Sequence, residues 1–123
     1  MHARIHPYDY YRDCPDEKTG LAKAAALIAE ARAEAPNSVL LDNGDLIQGS
    51  PLGDWAAEAL GAGRLKVHPM IAAMNALAYD AAAVGNHEFN YGLSVLDAAL
   101  AGADFPFVCC NVLKTSEGLM PSA

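Results

Sequence analysis

The sequence predicts an α/β fold: a mainly parallel sheet whose strands are joined by crossover helices. Three observations predict it. Short apolar runs alternate with segments in which small and apolar residues recur every three or four positions. Proline and glycine stand at the boundaries between them. The densest polar clusters, residues 42–45 and 85–90, each follow an apolar run, as ligand loops do at the carboxyl ends of parallel strands.

Taken in order, residues 1–19 lack periodicity. They hold Pro7, Pro15 and the aromatic group Tyr8, Tyr10 and Tyr11, which is expected to pack at the sheet edge. A helix follows, with Leu21, Ala24, Ala25, Ile28, Ala31 and Ala35 on one face. Thr19 or Gly20 can start it and Pro36 ends it. Val39-Leu40-Leu41, set between polar turns, reads as a strand buried on both faces. The loop from Gly44 to Pro51 leads into an alanine-rich helix over about 52–60, closed by Gly61 and Gly63, with Trp55 as packing. Pro69 suits the first turn of a helix over 70–77, with His68 as a structural residue at its start.

The next strand, 79–84, is set by its length and by the Gly85-Asn86 break, although Ala81 to Ala83 favour helix in isolation. A helix over 93–100 ends at Gly102. Residues 105–112 form the strongest strand by composition, with Cys109 and Cys110 inside it as small apolar residues. The tail from Thr115 is turn-like.

Composition narrows the function. The chain has 123 residues, 53% hydrophobic and 19% charged, which is a globular balance. A domain of this size buries roughly two-thirds of its unfolded surface. No apolar run approaches the ~20 residues needed to span a bilayer, and no secretory leader is visible. The net charge of −7 argues against a general binder of nucleic-acid polymers. Three cysteines, two of them adjacent, suggest no ordinary disulfide framework and leave the redox compartment open.

The polar clusters carry the candidate chemistry. The first is Asp42-Asn43-Gly44-Asp45, continuing through Leu46-Ile47-Gln48-Gly49-Ser50-Pro51. A carboxylate just past a strand end is rigidly held and can bridge divalent ions. Gly44 lets the backbone turn sharply, and Gly49 and Ser50 precede a helix, where free N–H groups receive phosphate. A plain Asn-Gly-Asp turn gives the same pattern. The second cluster is Gly85-Asn86-His87-Glu88-Phe89-Asn90. Asn86 offers a neutral oxygen to a hard cation, and His87 can give a proton to a leaving oxygen. The competing reading is a strand-to-helix turn with Asn86 or Asn90 as a cap. His6 lies four residues after His2, but Pro7 opposes a helical pair of ligands there.

Five stretches together carry a family resemblance: Tyr8-Asp9-Tyr10-Tyr11-Arg12-Asp13, residues 37–55 (NSVLLDNGDLIQGSPLGDW), Val67-His68-Pro69, residues 85–92 (GNHEFNYG) and residues 99–106 (ALAGADFP). The chain resembles the calcineurin-like metallophosphoesterases. Within them it is most similar to the bifunctional 2′,3′-cyclic-nucleotide 2′-phosphodiesterase/3′-nucleotidases, relatives of the 5′-nucleotidases. The resemblance implies the N-terminal part of an α/β/β/α sandwich, with residues 1–123 as an incomplete N-terminal domain. It implies hydrolysis of small nucleotide phosphate esters at two divalent ions, with Mn, Zn, Co, Fe and Mg all compatible with the ligand types. A periplasmic or secreted location is implied for a longer parent.

The resemblance also implies residue roles. Asp45 bridges the two metals, His2 belongs to the first metal site, and Asn86 ligates the second. His87 stabilises the transition state or protonates the leaving ribose oxygen. Many 5′-nucleotidase relatives carry an aspartate at the position of Asn90. Asn90 would instead hold a ring tautomer through its side-chain oxygen, which favours the cyclic-phosphodiesterase reading. A 5′-nucleotidase, another phosphomonoesterase and a non-catalytic remnant are the alternatives. The first-motif aspartate would fall before Met1, and the family's last histidines fall beyond this sequence. Weak metal binding, negligible turnover by the chain alone and self-association through an exposed sheet edge are therefore expected.

Overall fold

A computed structural model describes residues 1–115 and 118–121. Tyr8–Asp9 (β1) and Cys14–Pro15 (β2) pair antiparallel in a small hairpin. Leu21–Glu34 is helix α1. Leu41–Asp42 (β3), Ala81–Ala83 (β4) and Phe107–Val108 (β5) form a parallel sheet in that order. Helices Pro51–Gly61 (α2) and Pro69–Ala76 (α3) connect β3 to β4. A single 3-10 turn, His87–Phe89, and helix Leu93–Leu100 (α4) connect β4 to β5. Val112–Thr115 (β6) and Gly118–Pro121 (β7) pair antiparallel. The fold is α/β with its larger sheet parallel, as the alternation of elements predicts.

Local chemistry starts the helices. Ser50 caps α2, its Oγ accepting from Gly53 N at 3.4 Å, and Pro51 supplies the first turn. His68 caps α3 in the same way, Nδ1 accepting from Met70 N at 3.2 Å ahead of Pro69. Gly92, at φ 84°, opens α4 from a conformation that other residues rarely adopt.

Strand register decides which side of the sheet is core. Ala82 pairs with both Asp42 and Phe107, so these three share a face. Ala82 is buried, and Phe107 packs against the core formed by Leu46, Ile47, Met70, Ile71 and Met74. The opposite face carries Leu41, Ala81, Ala83 and Val108. Leu41 and Val108 are 63% and 56% exposed, so no described element covers that face.

The fold departs from several expectations of the sequence. The 39–41 run is not a strand buried on both faces: only Leu41–Asp42 pairs, and Val39 is exposed. Strand 105–112 shrinks to Phe107–Val108, and Cys109 and Cys110 lie outside it, exposed. Cys109 Sγ instead donates to Asn111 Oδ1 at 3.3 Å. Strand 79–84 shortens to three residues. In α1 only Leu21 is fully buried, and Ala31 and Ala35 face solvent. Tyr10, Tyr11 and Trp55 are exposed rather than packed. The tail expected to be turn-like from Thr115 contains β7, while residues 116–117 and 122–123 lie outside the described residues.

Candidate metal centre and active site

Adjacent parallel strands send their following loops to one edge. The loop after β3 (43–50) and the loop after β4 (84–92) meet there in backbone contact. A Cβ on Gly44 would lie 2.4 Å from Gly85 N, and one on Gly85 would lie 2.4 Å from Asp45 Oδ1. The two loops touch because neither position carries a side chain.

Glu88 seals the contact. It is fully buried, and its carboxylate accepts from Asp45 N at 2.8 Å, Ile47 N at 3.2 Å and Gly85 N at 2.7 Å, and from Leu46 N. A buried charge is tolerable when its oxygens are hydrogen-bonded in this way. Three of those donors belong to the Asp45 loop and one to the Gly85 loop, so one side chain holds the two together.

Asp45 sits at φ 57°, and His2 and Ala3 at φ 54° and 53°. Left-handed backbone at a non-glycine residue costs roughly 1–2 kcal/mol and persists only where surroundings enforce it. Here His2 N donates to Asp45 O at 2.8 Å, and Ala3 N to Leu46 O at 2.7 Å. Ser50 Oγ donates to Ala3 O at 2.7 Å. His87 N in turn donates to Asp45 Oδ1 at 3.1 Å.

The result is a convergent group. His2, Asp45 and His87 each offer one ligand atom, and all three atoms lie within 4.8 Å of one another. The His2 and His87 rings stand edge to face, centroids 5.0 Å apart. The imidazole of His2 and the carboxylate of Asp45 are donors that a borderline divalent cation takes, so the group fits such an ion, with the His87 ring beside it. Asp42, half-buried at the end of β3, adds negative charge nearby. Burial pushes its carboxyl up, the carboxylates of Glu88 and Asp45 push the same way, and the bond from Gly44 N opposes them.

His87 Nδ1 lies 2.6 Å from Gln48 Oε1, and Asn90 Nδ2 donates to the same oxygen. Asn90 Nδ2 also stands 3.4 Å from His87 Nδ1. The acceptor facing the ring is therefore Gln48, not the Asn90 oxygen anticipated from the sequence. Asn86 is exposed and precedes the 3-10 turn without a side-chain cap bond. His6 is exposed and stands outside the group. Beside His2 and Gly49 a cavity of about 610 Å³ is lined also by Arg4, Thr19, Leu21 and Tyr79.

Two residues at this site, Glu88 and Gln48, escaped assignment from sequence. Glu88 stands inside the GNHE motif, but nothing local shows that its carboxylate is buried. Gln48 lies in the Asp45 loop, 39 positions before His87.

The fold is that of the calcineurin-like phosphoesterases, and the chain belongs to that family. It superposes on the calcineurin-like phosphoesterase YfkN of Bacillus subtilis with a TM-score of 0.85 at 52% identity, over 95% of this chain and 36% of that one. It is 55% identical over 119 residues to the 2′,3′-cyclic-nucleotide 2′-phosphodiesterase/3′-nucleotidase of Yersinia enterocolitica, covering 96% of this chain and 18% of that protein. The trifunctional nucleotide phosphoesterase protein YfkN of Bacillus subtilis is 52% identical over 120 residues, 94% of this chain and 8% of that protein. The chain thus spans a minor part of each relative's length. No family model matches it.

Proposed function

We propose that this chain supplies one wall of a phosphoesterase active site for small nucleotides. The reaction is opening of 2′,3′-cyclic nucleotides to 3′-nucleotides, followed by hydrolysis of these to nucleosides. The observation that carries the reading is the convergence of His2, Asp45 and His87 within 4.8 Å at the strand ends. Identity to the Yersinia phosphodiesterase/3′-nucleotidase supports the substrate class.

His2 and Asp45 would hold one divalent cation, and Asp45 and Asn86 would hold a second. When bound, such ions supply Lewis acidity toward phosphate oxygens and activate water. The chain's own groups do the rest. Asp45 is held in place by the Glu88 clamp and by its backbone bond from His2. His87 stands beside them and would pass a proton to the departing ribose oxygen.

The test is a chimera in which the chain replaces the matching stretch of the Yersinia relative. It is assayed with manganese on 2′,3′-cyclic AMP, 3′-AMP and 5′-AMP. Hydrolysis of the first two, lost in Asp45→Ala, is expected. Preference for 5′-AMP would make the site a 5′-nucleotidase's, and hydrolysis unaffected by Asp45→Ala would overturn the assignment.

A further inference from the structure

We propose that Gln48 is a positioning residue that locks His87 in the Nδ1–H tautomer and leaves Nε2 without a proton. The proposal rests on the reading that His87 belongs to the active site. It concerns which ring nitrogen is free, a matter that reading does not decide.

The geometry gives one oxygen two donors. Gln48 Oε1 lies 2.6 Å from His87 Nδ1 and also accepts from Asn90 Nδ2. An amide oxygen has two lone pairs and no proton, so a close ring nitrogen must donate to it. Asn90 thereby acts through Gln48: its NH2 group turns the Gln48 oxygen, not its nitrogen, to the ring. The residue after Asn90 fixes the far end of this turn, because Tyr91 Oη donates to Asp54 Oδ1 of α2 at 2.5 Å. Outer partners of this kind set the tautomer of a ligating or proton-transferring histidine. The partner here is a neutral amide, so the ring is oriented without a formal charge beside it. A bare Nε2 can accept a proton or a cation directly. It can donate to a leaving group only after first taking a proton up.

The test reads the ring nitrogens themselves. The chain is labelled with 15N-histidine, and long-range 1H–15N correlations are recorded at about pH 8.5, where an ordinary imidazole is neutral. His87→Phe identifies the His87 signals. The expected result is a protonated Nδ1 and an unprotonated Nε2. Gln48→Met should release the ring to a tautomer mixture, and Gln48→Glu, which keeps an acceptor, should restore the Nδ1–H form. The unchanged His68 signals report that each variant is folded. A predominantly Nε2–H ring in the unmodified chain overturns the proposal without any variant, as does a Gln48→Met ring identical to the parent. In the chimera, Gln48→Met should lower kcat about 10–100-fold with KM little changed. An inactive chimera whose His87 is nonetheless Nδ1–H would refute the proposed reaction and leave the positioning role standing.

Discussion

At the scale of single residues, the site depends on what is missing as much as on what is present. Gly44 and Gly85 have no side chains, and Glu88 fills the space behind them with a carboxylate that meets four backbone N–H groups. Glu88→Gln keeps the shape and one acceptor oxygen. It places an NH2 group against N–H donors with nothing to receive its protons. Leaving buried donors unsatisfied costs about 1–3 kcal/mol per group, so a loss of roughly 2–4 kcal/mol is expected. Urea unfolding should show a lower midpoint at an unchanged slope. The variant should also weaken manganese binding, since Asp45 N loses its anchor. Stability equal to the parent would mean that the clamp is replaceable by water. None of this was legible in the motif letters. GNHE names the residues, but the destination of the Glu88 carboxylate is set by a loop some 40 positions away.

At the scale of elements, helix α3 carries the chain's clearest pH sensor. His68 is buried at its N-cap; Nδ1 accepts from Met70 N, and Nε2 has no hydrogen-bond partner among the described residues. Burial pushes its pKa down to about 4. The Ile47 backbone and the Glu88 carboxylate favour the charged ring but do not outweigh burial. Ile47 is near enough to act electrostatically without the geometry of a hydrogen bond. The unfolded chain takes up this proton near 6.5, the folded one only near 4. The unfolded state therefore binds more protons in between, and stability rises with pH across that window. The contribution is fully present above about pH 7 and is lost as pH falls from 6.5 toward 4, on the order of 3 kcal/mol. His68→Asn keeps a cap acceptor and removes the titration. Its unfolding midpoint should depend less on pH between 7 and 4.5 than the parent's. Equal dependence would place the acid sensitivity elsewhere. Helix positions were well marked in sequence because caps and periodicity are local. Strand lengths were not, because a strand exists only where a partner supplies hydrogen bonds.

At the scale of the whole molecule, the parallel sheet departs from the rule that both its faces are covered. Leu41, Ala81, Ala83 and Val108 form an apolar face that no described element packs. The short β3–β5 ladder also leaves strand edges open to other chains. Association of copies of this chain is the expected outcome, increasing with concentration in sedimentation velocity. Val108→Lys should shift the distribution toward monomer, because a charge on that face must be desolvated to associate. A monomer that unfolds in one sharp transition would show that the bare face is tolerated as it stands.

The sequence by itself determined the α/β alternation, the helix boundaries and the family, because periodicity, capping and motif spacing are properties of neighbouring residues. It also placed Asp45 and His87 on loops at one sheet edge, since parallel strands allow few other arrangements. The resemblance put His2 beside them; only the tertiary structure decided that Glu88 binds the two loops and that Gln48 faces the His87 ring. Those are contacts between residues 39 to 43 positions apart. They are set by backbone approach at two glycines and by burial, which no local pattern encodes.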